Sequence, residues 1–329
     1  MATASIARAQ TRPSHLHLIS VMALTVLIWS INYTIGKIGF RTLRPMALAS
    51  YRVVIAAIAM LPVAMWCELG RRRAAGAGEP THLKRIQLGD LWNFACLGFF
   101  GVFLNQGLFT VGLSMTSVGR SAIIVGTTPI FILLAAWMLR LEHLTVRKVA
   151  GLALAFVGAV LLGAGRNWDL RSTGAQGDFL TFVACLAVVV FTILGKRMAK
   201  SYDPLQLMSY NVVFAGVFAL PLAAWETRAM LRSGDWGAIG WQGWASAAYM
   251  GVLASALCIP LYFWVLRWVP PSKIGALSYL QPVVGTPFAA LALGESMTRD
   301  LLSGGALILV GVYAIESDRT EQFSEQPTV

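Results

Sequence analysis

Charged side chains make up only 12% of this chain, about half of what a water-soluble domain needs to solvate its surface. With 57% hydrophobic residues, that shortage excludes an ordinary soluble fold. Histidine is equally scarce, and His15, His17, His82 and His143 all fall in tails or in links between apolar stretches. Neither an HExxH zinc motif nor a GxSxG nucleophile elbow occurs, so a membrane-embedded hydrolase lacks its machinery. The four cysteines, Cys67, Cys96, Cys185 and Cys258, sit on four separate apolar stretches with neither disulfide-framework nor zinc-site spacing. No metal and no cofactor are expected. The fifteen acidic residues lie at the ends of apolar stretches, in links or in the C-terminal tail, and none falls mid-stretch. Cation exporters and proton antiporters commonly carry an intramembrane carboxylate, so the absence favours a neutral, zwitterionic or weakly anionic substrate.

What is present is a series of ten apolar stretches, at about 16–40, 45–67, 91–113, 118–139, 148–163, 178–195, 204–225, 244–266, 272–293 and 300–316. Each approaches the ~20 residues that a helix needs to cross ~30 Å of hydrocarbon. Arg8 and Arg12 precede the first stretch much as in a signal peptide, but the run is long and no small-residue cleavage motif follows, so it reads as a retained helix. The net charge of +11 is unevenly spread: sixteen Lys and Arg fall on the side of the N-terminus and seven on the other. The positive-inside rule then puts both termini in the cytoplasm, and the basic balance needs no nucleic acid to explain it.

The chain repeats itself. At an offset of 159 residues, Gly36, Lys37, Pro45, Tyr51, Pro62 and Trp66 meet Gly195, Lys196, Pro204, Tyr210, Pro221 and Trp225. At an offset of 153, Gly98, Pro129, Glu142, Thr145, Gly151 and Gly158 meet Gly251, Pro282, Glu295, Thr298, Gly304 and Gly311. Shared apolar composition cannot align prolines, lysines and tryptophans in register, so two related units are expected, at 16–163 and 178–316, joined by 164–177 and flanked by tails at 1–15 and 317–329. Five helices per unit is an odd number, which makes the units inverted in the membrane, a recurrent transporter design. The expected fold is an all-α membrane protein of ten transmembrane helices in two inverted five-helix repeats.

Several residues carry a resemblance to the EamA-type families of the drug/metabolite transporter superfamily: Trp29-Ser30-Ile31-Asn32, Arg52, the mid-span prolines, Leu141-Glu142-His143-Leu144-Thr145 and Gly294-Glu295-Ser296-Met297-Thr298. The resemblance covers nearly the whole chain. It implies a ten-helix carrier of small metabolites in the cell membrane, with amino acids among the cargoes of relatives and export a frequent direction. It also implies a central cavity lined from helices 1, 3, 4, 6, 8 and 9. The partners expected are a small-molecule substrate and the lipid bilayer, with a homodimer compatible. A membrane receptor or scaffold and a proton-coupled drug exporter are the competing readings.

The substrate-binding candidates follow from helical spacing. Trp29, Asn32, Tyr33 and Gly36 share one face of helix 1. Gly98, Gly101, Asn105, Phe109 and Gly112 do so on helix 3, and Gly275, Tyr279, Pro282 and Thr286, with Gln281 beside them, on helix 9. Close packing is the alternative for each of these faces. Pro129 and Pro282 would break helices 4 and 9 and free the carbonyls of Val125 and Ser278 to line a cavity. Arg52 lies about 10 Å inside its helix, where it would meet a substrate carboxylate or phosphate, or else helix-end carbonyls. Lys37 and Lys196 are expected to snorkel, and Glu142 and Glu295 to favour the N-terminal dipole of the helix that follows each.

Overall fold

The computed structural model describes residues 13–77, 86–115, 121, 124–164, 174–199, 201–293 and 299–317. Among them the structure is all-helical. Six helices are long and apolar enough to cross a membrane: α1 (His15–Gly39), α2 (Pro45–Ala77), α3 (Leu88–Met115), α6 (Ala175–Ala199), α7 (Pro204–Ser233) and α8 (Trp241–Trp268). Shorter helices lie between and after them: α4 (Thr128–Met138), α5 (Val146–Ala164), α9 (Pro271–Ala276), α10 (Leu280–Leu293) and α11 (Arg299–Glu316). Large apolar side chains cover the outside, with Trp66, Trp92, Trp225 and Trp241 each more than 60% exposed. A surface of that kind is tolerated in lipid, where tryptophan favours the interfaces.

Local chemistry sets the helix ends. Asp203 caps α7 by accepting from the Leu205 and Gln206 amides, Pro204 opens the first turn, and Gly234 ends the helix at φ 78°. Thr145 accepts from the Lys148 amide at 3.2 Å, the capping role its spacing suggests. Both α3 and α8 widen into π-helix, over Gly98–Leu104 and Tyr249–Leu257 respectively. Under the 153-residue offset, the first of these segments falls on 251–257, inside the second. Such π turns leave the regular ladder and often mark functional sites.

Two glycine contacts show how closely the helices approach. A Cβ on Gly98 would sit 2.6 Å from the Asn211 carbonyl oxygen, and one on Gly251 would sit 2.8 Å from the Arg52 carbonyl oxygen. These are one contact made twice, because Gly98 maps to Gly251 and Arg52 to Asn211. The α5–α11 pair crosses on Gly151 and Gly158 of one helix and Gly304 and Gly311 of the other, where Cβ positions would lie 2.6–2.8 Å from backbone oxygens. Gly158→Ala is therefore expected to destabilise the protein by about 1–3 kcal/mol through overpacking. Gly107→Ala, with nothing within 4 Å, should be neutral or slightly stabilising. Thermal unfolding midpoints in detergent check the pair; equal midpoints would remove the glycine crossing from the account.

Two charged residues behave differently from their expected roles. Lys196 is buried and does not snorkel: its Nζ donates to the carbonyls of Leu266 at 2.8 Å and Val269 at 3.1 Å. The reason is local, since α8 ends before Pro270, which has no amide to offer, and the ammonium satisfies carbonyls that would otherwise be orphaned. Glu142 is also buried. It forms an ion pair with Lys148 at 2.9 Å and accepts from the Ser272 amide at 2.9 Å and the Ser272 hydroxyl. Its carboxylate joins the first turn of α5, through Lys148, to the N-terminus of α9 in the other half of the chain. Glu295 lies outside the described residues.

Candidate functional site

A cavity of about 170 Å³ opens among α1, α2, α3, α4, α6, α8 and the α9–α10 junction. One water needs roughly 10–15 Å³ on the same kind of measure, so this is room for a solute rather than a packing defect. Its polar lining comprises Trp29, Asn32, Tyr33, Arg52, Asn105, Gln106, Thr128, Thr192, Tyr262, Ser278 and Gln281. Among the described residues no carboxylate faces it.

The lining is organised by the repeat. Seven pairs related by the two offsets face the cavity together: Trp29 with Val188, Asn32 with Phe191, Tyr33 with Thr192, Gln106 with Ile259, Phe109 with Tyr262, Val125 with Ser278, and Thr128 with Gln281. Geometry repeats as well as position. The Tyr33 and Phe109 rings meet edge-on at 5.6 Å, and their counterparts Thr192 and Tyr262 share a hydrogen bond of 2.9 Å. The chemistry, by contrast, is divided. Asn32 and Gln106 oppose Phe191 and Ile259, whereas Tyr262 and Ser278 oppose Phe109 and Val125, so the amides and the hydroxyls fall on different halves at these pairs.

Some of that capacity is already used. The Trp29 indole donates to the Ala254 carbonyl inside the π segment of α8 at 2.8 Å, the Asn105 amide to Ala184 at 2.9 Å, and the Tyr33 hydroxyl to Gln281 Oε1 at 3.2 Å. These bonds fix the wall. Other groups are left over: Asn32 Oδ1 and Arg52 Nε are buried with no hydrogen-bond partner.

Arg52 is the exceptional member. It is 4% exposed, and its guanidinium makes one long bond, from Nη2 to the Ser255 hydroxyl at 3.4 Å. Ser255 in turn donates to Met250 O or Gln106 Oε1. A buried cation normally pairs with a carboxylate or saturates its five donors on carbonyls. Arg52 has neither arrangement in the described protein. Its alternative role, binding helix-end carbonyls, is taken by Lys196 elsewhere.

The other candidates divide. Tyr279 does not face the cavity; it is 1% exposed in a cluster with Leu133, Leu152, Ala155 and Ile308 at the α5–α11 crossing. Pro129 stands in the first turn of α4 just after a turn at Thr127, and its Cα lies 3.4 Å from where a Cβ on Gly275 would be. The backbone of Pro282 occupies the corresponding first turn of α10, after the 3-10 turn Leu277–Tyr279. Both prolines thus follow helix breaks rather than sit mid-helix. Val125 and Ser278, beside those breaks, line the cavity.

The family model for EamA-like transporters matches the chain twice, over residues 17–164 and again over 175–317. The chain belongs to the EamA-like transporter family. As a family member it is a multi-pass membrane protein that moves small molecules. It is 26% identical to an uncharacterized transporter of Archaeoglobus fulgidus, over 91% of this chain and 98% of that one. It is 25% identical to a probable terminal-alkyne amino-acid exporter of Streptantibioticus cattleyicolor, over 89% and 91% of the two chains. A crystal structure 18% identical to it superposes with a TM-score of 0.67, covering 92% of this chain and 96% of that one, which speaks for the fold alone.

Sequence reasoning missed Gln106, Thr128, Phe191, Thr192 and Tyr262 as site residues. The signal was available. Moving Asn32 and Tyr33 along by 159 residues gives Phe191 and Thr192, moving Phe109 along by 153 gives Tyr262, and moving Gln281 back by 153 gives Thr128. Gln106 has only its neighbour Asn105 to announce it.

Proposed function

We propose that this EamA-family transporter is a ten-span carrier of two inverted five-helix halves that moves a small carboxylate-bearing metabolite, in the simplest case an amino acid, by alternating access around the central cavity. The observation that carries the substrate class is Arg52, a buried guanidinium facing a cavity without a carboxylate. Burying an unpaired charge is costly, and a substrate anion is the partner the site is missing. Asn32 Oδ1 offers an acceptor to an ammonium group, and the aromatic walls suit either a cation or an apolar side chain. The amino-acid exporter among the relatives agrees with this class. The ten-span, inverted arrangement is supported by the two family-model matches, the seven paired lining positions and the shorter helices α4, α5, α10 and α11 added to the six long ones.

Flux is the test. In proteoliposomes containing the purified protein, radiolabelled alanine, leucine or phenylalanine should equilibrate down its gradient, saturably and without a pH gradient, faster than in protein-free vesicles. Strict dependence on a pH gradient, or transport of lipophilic cations in place of amino acids, would overturn the reading.

The charge split places both termini on the cytoplasmic side of the cell membrane. Gly76 and Gly237 are exposed positions where a side chain meets nothing within 4 Å. In a background without native cysteines, Gly237→Cys should be labelled from outside intact cells and Gly76→Cys should not. The opposite pattern would reverse the orientation.

A further inference from the structure

The central cavity does not end at Trp29. That residue, with Tyr262, Ser278 and Gln281, also lines a neck of about 20 Å³, enough for a water or two. Beyond the neck lies a groove of about 460 Å³ between α1 and the α9–α11 side of the second half. Met22, Val26 and Leu277 line neck and groove alike, so the three spaces adjoin in series along a continuous wall. The walls change character along the series. Around Arg52 they are amide, hydroxyl and guanidinium; in the groove they are aliphatic, with Lys273 the one charged member among the described residues. At its far end Ile19 and Leu27 are nearly half exposed, so the groove opens on the surface that faces lipid.

From this continuity we infer that the groove is the seat of an apolar tail on the transported carboxylate. The head would bind at Arg52, and the tail would pass alongside the packed Trp29–Tyr262 pair to lie along Met22 and Val26. Trp29 is held by its bond to Ala254 and packs on Tyr262 at a centroid distance of 5.7 Å, so the neck has one rigid aromatic wall. Met22, opposite in character, is unbranched and adaptable. Seven residues of α1 separate Trp29 from Met22, roughly 10 Å along the helix, which sets the reach of the tail. The cargo is then an amphiphile, such as a long straight-chain amino acid, rather than a small polar one. This inference rests on the carboxylate reading of Arg52.

A chain-length ladder tests it. Straight-chain 2-amino acids from alanine to 2-aminodecanoate are used to inhibit tracer alanine flux in proteoliposomes. They are also used, separately, to raise the thermal unfolding midpoint of the purified protein. Once the tail passes the neck, each added methylene should lower the inhibition constant about threefold to fourfold, the factor expected for burying one CH₂. Met22→Trp, which fills the passage, should flatten that ladder and lower the affinity for long chains far more than that for alanine; Val26→Phe is the second plug should the first fold poorly. A flat ladder in the unmodified protein overturns the inference while leaving alanine transport standing. So does a steep ladder that neither plug alters, or one lost only when anionic lipid is present, which would give the groove to a lipid chain. If no amino acid is transported at all, the amino-acid reading of the site fails, and the unfolding midpoints still decide the ladder.

Discussion

Replacing Arg52 with glutamine is expected to lower kcat/KM for a carboxylate-bearing substrate by about two orders of magnitude while making the empty protein harder to unfold. Both effects have one cause. The guanidinium is 4% exposed, has one weak bond and no anionic partner, so it costs the substrate-free protein stability. An arginine within hydrocarbon carries an insertion penalty of roughly 2.5–3.5 kcal/mol, and removing it should return roughly 1 kcal/mol or more. Losing one partner of a buried charge pair in the loaded state costs about 2–5 kcal/mol, which gives the fall in transport. Opposite signs for function and stability separate a binding role from a packing role. Detergent unfolding midpoints and initial flux rates on the same preparation provide the check. If Arg52→Gln unfolds more easily than the parent, the guanidinium is a structural strut and the site assignment falls.

Glu142→Ala should have the reverse profile, a loss of stability of about 3–5 kcal/mol that prevents accumulation of folded protein. The carboxylate is 1% exposed and so is the ammonium of Lys148, so truncating the acid takes its paired carboxylate away from a buried cation. It also strips the Ser272 amide of its acceptor at the start of α9. Glu142→Gln keeps an acceptor for that amide, and combining it with Lys148→Met removes both charges. The double variant should recover much of the folded yield, because replacing a buried pair whole is far less costly than breaking it. Fluorescence-detected size exclusion reports the yields. Equal yields for Glu142→Ala and the parent would mean that the pair contributes nothing.

The all-helical, membrane-spanning character was legible in the sequence from its apolar stretches, and the family from its motifs. Prolines, tryptophans and lysines aligned at constant offsets, and the same offsets carry the first-half candidates onto their partners in the cavity wall. The errors came where local rules meet distant partners. Tyr279 was assigned to the site by assuming regular helical spacing through 275–286, but Leu277–Tyr279 is 3-10 helix. There the turn tightens to three residues, so Gly275, Ser278 and Gln281 share the cavity face and Tyr279 rotates into the α5–α11 crossing. Glu142 was read through its own link because capping logic is local, whereas its acceptor role is to Ser272, 130 residues away. Lys196 looked like a span-end cation, and only the α8 terminus folding over it reveals a buried cap. Arg52 was legible as an anomaly from its depth alone. That it lacks an acidic partner is a fact of packing.

A cycle that alters protein and ligand together tests the central claim most directly. Equilibrium binding of an amino acid and of its amide, which lacks the negative charge, is measured on the parent protein and on Arg52→Gln. If Arg52 receives the carboxylate, the parent should prefer the acid over the amide by a factor of about 30 or more, in line with the loss of one buried charge pair. Arg52→Gln should bind the two nearly alike. An acid-over-amide preference that survives in Arg52→Gln would contradict the account, because the carboxylate would then be recognised elsewhere.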